Sequence, residues 1–406
     1  MGNSSNTNGK DQNADARMNK KVIPYGRQTI DNNDIQAVID VLQSDFLTQG
    51  PHIAAFEKSF AEYVGSKYAV AVANGTAALH LAALCLDTSK KVIAPPLSFV
   101  ASTNCIEFVG GEIEFVDIEE NSWLIDVQKV ETLLQKNPTG YSGIIAVNFA
   151  GKVCDFEALR RLADQYGFWI LEDACHSPGG KTSLTKTKSG SGELTDLSVF
   201  SFHPVKHIAC GEGGMITTNN EDFYKKLLQL RTHGITREPD LLTNDIQLAG
   251  GKDTYPLWYM EMQSLGFNYR LTDIQAALGN SQLSKAEAGL KRRREIARIY
   301  NQYFDSRPYI KNHSRFSEEH AYHLYVILVE DRLELYNYLR SKNIFAQIHY
   351  FPIHLMPYYQ QKGWKQGDFP ITEKYYEQCL SLPMFPALTN EEIQFVLDSI
   401  DAFYEQ

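Results

Sequence analysis

Long apolar runs are missing from this 406-residue chain. None approaches the roughly 18–20 residues of a membrane span, so no transmembrane helix is expected. The first residues are polar, and no secretory signal is expected there. Met1-Gly2 opens like a myristoylation sequence, but Asn6 stands where serine or threonine is wanted. Asn3-Ser4-Ser5 fits a glycosylation acceptor, which is idle without secretion. Cysteine is sparse: six residues (85, 105, 154, 175, 210 and 379) with no CxxC pair. Three lie among apolar or small residues, as reduced and partly buried thiols do, and no metal site is expected. Basic charge is also short, with 39 lysines and arginines against 49 acids and a net charge of −10. That balance argues against bulk binding to nucleic acid or an anionic membrane. The expectation is a soluble, cytoplasmic protein.

What remains is ordinary for a folded chain: 43% apolar and 22% charged residues. The length is about three times a typical domain, so two domains are the starting point. Residues 1–20, rich in Asn, Ser, Asp and Lys, read as a disordered tail. Asp31 caps a helix with Ile35, Val38, Ile39 and Leu42 on one face, and a second helix carries Phe56, Phe60 and Tyr63 up to Gly65. From Tyr68 to Thr218 short apolar strands alternate with helices, the signature of an α/β domain with a mainly parallel sheet covered on both faces. This large unit is placed at 21–278. After Leu278 a long basic helix (283–303, with Lys291-Arg292-Arg293-Arg294), a few strands and terminal helices make a smaller α+β unit at 279–406. The basic run reads as a solvated helix face. The Lys181–Gly192 stretch reads as an exposed hairpin or loop, and 235–262 as a long connection.

Ligands of open α/β sheets bind at the carboxyl ends of strands. Four strand ends here carry suggestive groups. Asn74-Gly75-Thr76-Ala77 opens a helix whose first N–H groups suit a phosphate. Asp173 ends the apolar strand Phe168–Leu171, where a buried charge needs a cationic partner. Lys206 follows strand 197–202 in Ser201-Phe202-His203-Pro204-Val205-Lys206, and Gly266–Asp273 opens a further helix. Singly, each has a plain alternative: a helix cap, a loop acid, a solvated lysine. Together they match the needs of pyridoxal phosphate, which wants a lysine amine for its aldehyde, a carboxylate for its pyridine nitrogen and donors for its phosphate. A solvated lysine is only about one part in 2,500 amine at pH 7, so the site must depress its pKa.

Five segments carry a resemblance: NGTAALHLA (74–82), PPLSFVAS (95–102), ILEDACHSPGG (170–180), SVFSFHPVKHIACGEGGMITTN (198–219) and LGFNYRLTDIQAALG (265–279). In these, over about residues 22–400, the chain resembles the DegT/DnrJ-type sugar-nucleotide aminotransferases, pyridoxal-phosphate enzymes of fold type I. The resemblance implies a large domain with a seven-stranded sheet, a small C-terminal domain and a homodimer with composite sites. Lys206 is then the Schiff-base lysine and proton carrier, and Asp173 the partner of the pyridinium. Gly75, Thr76 and Ser201 hold the phosphate, Phe99 stacks on the ring, and Asn268 reaches the phosphate in the partner subunit. His176 stands where many relatives have glutamine, near the ring's hydroxyl. Tyr25, Asp45-Phe46-Leu47-Thr48, Gly75 and His349-Tyr350-Phe351-Pro352 match segments lining the sugar-nucleotide site. SFHPVK, GFNYRLTDIQ and AQIHYFPIH (346–354) are most similar to the branch serving pseudaminic acid synthesis. That branch aminates a UDP-linked 4-keto-6-deoxy-N-acetyl-altrosamine, with L-glutamate as donor. Three other readings stay open: a different nucleotide-linked keto-sugar, a pyridoxamine-dependent sugar dehydratase, or a non-catalytic binding relative. Cys175 reads as a packed thiol beside the site.

Overall fold

The computed structural model describes residues 21–405, so the tail expected at 1–20 lies outside the described residues. Seven apolar runs form one sheet: β1 (Tyr68–Val72), β2 (Lys91–Ala94), β3 (Ile113–Phe115), β4 (Tyr141–Val147), β5 (Trp169–Asp173), β6 (Leu197–Ser201) and β7 (Gly214–Thr218). Their spatial order is β1-β7-β6-β5-β4-β2-β3. The pairs β3–β2, β2–β4, β4–β5 and β5–β6 are parallel, and β7 is antiparallel to both its neighbours. No helix separates β6 from β7, and a strand that returns without a crossover must pair antiparallel.

Helices cover both faces, and β4 records this in its alternation. Ile145 and Val147 enter one apolar cluster with Val70, Leu81 and Ile106. Ile144 and Ala146 enter another with Leu159 and Ile170. The same alternation sends the last two residues of β5 to opposite faces. Asp173 shares the side of Leu171, and Glu172 the side of Ile170.

A smaller antiparallel sheet has β8 (Asn312–His313), β9 (Tyr325–Leu328) and β10 (Cys379–Leu382), in the order β8-β9-β10. Tyr300, Leu339 and Val396 from flanking helices share a core with Ile327 and Leu380 of that sheet. Ile23–Pro24 pairs in parallel with Ile344–Phe345, so the start of the described chain is tied to this C-terminal part.

Two expectations change. The helix expected to open at Asp273 is Asp273–Leu283, and the long basic helix expected over 283–303 is Ala286–Phe304. Its basic run is a solvated face only in part: Lys291 is exposed, but Arg293 is 2% exposed and donates to the carbonyls of Tyr322 (3.0 Å), His323 (3.3 Å) and Met384 (2.9 Å). The helix passes beneath the small sheet, where chain turns leave carbonyls needing donors. Nor is 181–192 simply an exposed loop. Ser189 and Gly190 are buried, and Glu172 accepts from the Ser189 hydroxyl (2.6 Å) and the Gly190 N–H (3.0 Å). The 235–262 connection is closed at its base by pairing of Ile235–Thr236 with Glu261–Met262, and it displays Leu257 (99% exposed) and Trp258 (76%).

Candidate active site

Asp173 lies at the floor of a cavity of ≈ 660 Å³ at the carboxyl end of β5. Its Oδ2 accepts from Ser102 Oγ at 2.6 Å, and Ser102 is joined to Ser98 Oγ at 2.6 Å. Its Oδ1 accepts from the Cys175 N–H at 3.1 Å. At 6% exposure, this carboxylate has neutral donors but no ion pair among the described residues. A buried carboxylate in that state lacks a cation.

Lys206 enters the same cavity from the turn after β6, a turn closed by its N–H donating to His203 O at 2.8 Å. Burial lowers the pKa of its ammonium, with Cys175 and Asp173 opposing. The amine fraction at neutral pH therefore exceeds that of a surface lysine.

Opposite the carboxylate is an anion cradle at the start of helix Gly75–Cys85. Asn74 caps the helix, its side chain accepting from Ala77 N–H at 2.8 Å, while Ala78 N–H donates to Asn74 O at 3.0 Å. The N–H groups of Gly75 and Thr76 are left without partners among the described residues, at the positive end of the helix. Ser201 closes on Gly75 from β6; a Cβ at residue 75 would stand 2.9 Å from Ser201 Cβ. Only glycine permits that approach.

Aromatic walls complete the cavity. Phe99 faces Tyr350 with ring centroids 6.1 Å apart, and Tyr25 faces His349 at 5.1 Å. His349 Nδ1 shares a hydrogen bond with Ser381 Oγ at 2.9 Å, and burial pushes its imidazole down to about 3, which keeps it neutral. Tyr350 OH lies 3.4 Å from His176 Nε2. The small C-terminal part thus supplies one wall, and the cavity spans both parts.

These residues fit pyridoxal phosphate. Free N–H groups and hydroxyls suit the phosphate, the amine sits where an aldehyde can be reached, and the cation-poor carboxylate suits a pyridinium. Of the residues expected from sequence, Tyr25, Gly75, Thr76, Phe99, Asp173, His176, Ser201, Lys206, His349 and Tyr350 line this one cavity. Asp45, Phe46, Leu47, Thr48, Phe351 and Pro352 do not. The 45–48 segment is exposed and bridges to Thr272 through Thr48, while Phe351 packs on Tyr376 at 5.1 Å. Asn268 is exposed and outside the cavity, although its neighbour Tyr269 lines it. Cys175 also lines it, and burial pushes its thiol well above the usual range, away from the reactive thiolate. Sequence reasoning missed Ser98, Ser102, Glu212 and Tyr269 as cavity residues. The two serines, four residues apart in PPLSFVAS, carried no signal that singles them out, since hydroxyls around a helix start have many ordinary uses.

Residues 28–401 match the model of the DegT/DnrJ/EryC1/StrS aminotransferase family. The UDP-4-amino-4,6-dideoxy-N-acetyl-beta-L-altrosamine transaminase of Campylobacter jejuni is 33% identical, over 95% of this chain and 98% of its own. The GDP-perosamine synthase of Escherichia coli O157:H7 is also 33% identical, over 95% of this chain and 99% of its own. Among solved structures, Helicobacter pylori PseC, an aminotransferase of pseudaminic acid biosynthesis, superposes with a TM-score of 0.84. It is 29% identical, and the match covers 95% of this chain and all of that one.

Proposed function

Because the chain belongs to the DegT/DnrJ/EryC1/StrS aminotransferase family and is a pyridoxal-phosphate enzyme of fold type I, we propose that it carries the amino group of L-glutamate to C4 of a UDP-linked 4-keto-6-deoxy-N-acetylhexosamine. The observation that carries the reading is the arrangement across one cavity: Asp173 without a cation at one end, the open cradle of Gly75 and Thr76 at the other, and Lys206 in the turn after β6. Bound there, pyridoxal phosphate supplies an aldehyde for the amine and a protonated ring that takes up the electrons of a broken C–H bond. Asp173 holds the proton on the ring nitrogen, and Ser102 and Cys175 N–H fix the carboxylate. Lys206 Nζ removes the Cα proton of the donor and returns one, and in the second half it moves the proton at the sugar's C4. Phe99, in tilted contact with Tyr350 at 6.1 Å, would stack on the cofactor ring, and Tyr25 and His349 border the acceptor. Asp45–Thr48 and Phe351-Pro352 meet the nucleotide sugar outside the cavity. Asn268 completes the phosphate site of a second copy, so the working unit is a homodimer.

The AQIHYFPIH segment supports the pseudaminic branch, since His349 and Tyr350 from it form a cavity wall. A second reading, amination of another nucleotide-linked 4-keto-6-deoxy sugar, is supported by the equal 33% identity to the perosamine synthase. One methyl or hydroxyl is worth only about 1–3 kcal/mol to a pocket, so the two readings are close in energy. The dehydratase reading is disfavoured because such relatives carry histidine in the position of Lys206. The test is mass spectrometry of products from a panel of nucleotide-linked keto-sugars with L-glutamate. Amination of the UDP-linked N-acetyl-altrosamine derivative is expected; product only from GDP- or dTDP-linked sugars lacking the N-acetyl group overturns the proposed acceptor.

A further inference from the structure

His176 borders the cavity, yet hydrogen bonds do not orient its ring. Nδ1 is buried without a partner, and Nε2 has a single long contact, 3.4 Å to Tyr350 OH. What lies flat against it is a second imidazole. His323, from the segment leading into β9, has its ring centroid 4.2 Å from that of His176, at 34°. On its other side stands His207, the residue after Lys206, at 5.9 Å and 41°. His323 Nδ1 and His207 Nε2 are likewise buried and unpartnered. His323 itself does not line the cavity.

The backbone that presents His323 is held from three directions. Leu324 N–H donates to Ala150 O at 3.1 Å and Ala321 N–H to Gly151 O at 2.8 Å. Buried Arg293 grips the carbonyls of Tyr322 and His323 from below. Gly151, at φ +102°, sits in the seam: a Cβ there would stand 2.8 Å from Tyr322 N and 2.9 Å from both His176 O and His323 N. The chain thus brings the His176 loop and the His323 segment to backbone contact, and His323 is the nearest ring to His176, with Phe149 and Tyr350 farther off at 6.2 and 6.3 Å.

We propose that His323 is a positioning residue for the transamination, a flat plate from the small C-terminal part that sets the angle of the His176 imidazole beside the cofactor. It rests on the cofactor pose proposed above, with His176 on the ring-hydroxyl side. A turned imidazole presents a different dipole to the ring oxygen and so changes the proton affinity of the lysine–cofactor linkage. The other groups facing this cluster are Lys206, His349, Arg293, Arg294, His320, Tyr350, Cys175 and Asp173, and none of them stacks on both His176 and His207. Burial first, and then Lys206, Arg293, Arg294 and the neighbouring histidines, hold His176, His207 and His323 well below the usual imidazole range, so all three rings are neutral near pH 7.

The experiment is a pH titration of the visible absorbance of the holoenzyme with no substrate present, so it does not depend on the identity of the sugar or donor. His323→Ala is expected to move the midpoint by about 0.5 pH unit or more. His323→Phe, which keeps a flat ring without nitrogens, is expected to return it to within about 0.2 unit of wild type. In a His176→Ala background, His323→Ala should add no further shift, because the effect passes through His176. An unmoved midpoint in His323→Ala, or an equal shift with and without His176, overturns the inference. Should His323→Ala fail to fold, His323→Asn replaces it, and equal midpoints for the Asn and Phe variants overturn the stacking role. A holoenzyme with no visible band refutes the cofactor reading instead, which separates the two failures.

Discussion

Lys206 and Asp173 line one cavity in unlike states. One is an amine whose charge burial disfavours, and the other is a carboxylate supported only by a hydroxyl and an amide. Borohydride treatment of the holoenzyme is expected to bleach its colour and leave the cofactor covalently on the Lys206 peptide, read by mass mapping. Asp173→Asn keeps an oxygen for the Cys175 N–H and turns its NH2 to the Ser102 hydroxyl, which can accept, so it should fold, yet an unprotonated ring is a poor electron sink. Turnover should fall by about 10²–10⁴ while cofactor stays bound through the phosphate cradle. Near-normal turnover removes Asp173 from its role. Both residues were legible because each ends an apolar strand, where an ionisable side chain stands out. Ser102 and His323 were not, since a hydroxyl on a helix and a histidine before a strand have many ordinary uses. What distinguishes them is who stands opposite: Asp173 Oδ2 at 2.6 Å in one case, the His176 ring at 4.2 Å in the other.

The cradle depends on how closely helix Gly75–Cys85 approaches β6. Replacing glycine by alanine inside a helix normally stabilises by up to about 1 kcal/mol. Here the new methyl meets Ser201 Cβ at 2.9 Å, and strand and helix must part. Gly75→Ala is therefore expected to leave the unfolding midpoint of the cofactor-free protein within a few degrees of wild type and to weaken cofactor binding about tenfold or more, read by equilibrium dialysis. Unchanged affinity removes Gly75 and Ser201 from the phosphate site. At this scale the strands were readable because apolar runs of four to seven residues recur between capped helices. The start of the second of the two adjoining C-terminal helices, at Ala286 rather than 283, was not, as Ser284-Lys285 contains neither proline nor glycine. Anchoring of 181–192 was hidden for another reason: its lysines and threonines look solvated, and the carboxylate that holds it, Glu172, lies elsewhere in sequence.

For the whole molecule, the alternation of an extended segment matters most. Tyr269 turns into its own cavity while Asn268 stands exposed beside it, and the 235–262 connection displays Leu257 and Trp258 to solvent. Large apolar side chains exposed together mark a surface that another chain covers, in keeping with the proposed two-fold dimer. A hydrogen bond from Asn268 to a phosphate is worth about 1.5–3 kcal/mol, so Asn268→Ala should weaken cofactor binding by about one to two powers of ten. When Asn268→Ala chains exchange with inactive Lys206→Ala chains, the site with the intact lysine borrows Asn268 from its neighbour. Cofactor affinity at that site is expected to recover towards wild type. A mixture that binds no better than Asn268→Ala alone, after verified exchange, places Asn268 in its own subunit's site. None of this was readable from periodicity or composition; it came from the family resemblance, because one chain's sequence does not say which exposed face meets a copy.

Adjacent carboxylates at the end of β5 meet different fates. Glu172 collects four donors: Ser189 Oγ, Ser198 Oγ, Gly190 N–H and Asn148 Nδ2. These donors oppose a burial that still pushes its carboxyl above the usual range, and all of them come from the chain itself. Asp173 has two donors and an open side toward the cavity. Asp173 is thus, of the two, the carboxylate left open to a ligand, and in the proposed reading the cofactor's ring nitrogen meets it. By mass action, a ligand that binds only the folded form deepens the folded well in proportion to the logarithm of its concentration. Vitamin B6 supply is then expected to set the protein's lifetime as well as its turnover, because a chain without cofactor is at once inactive and less stable against unfolding.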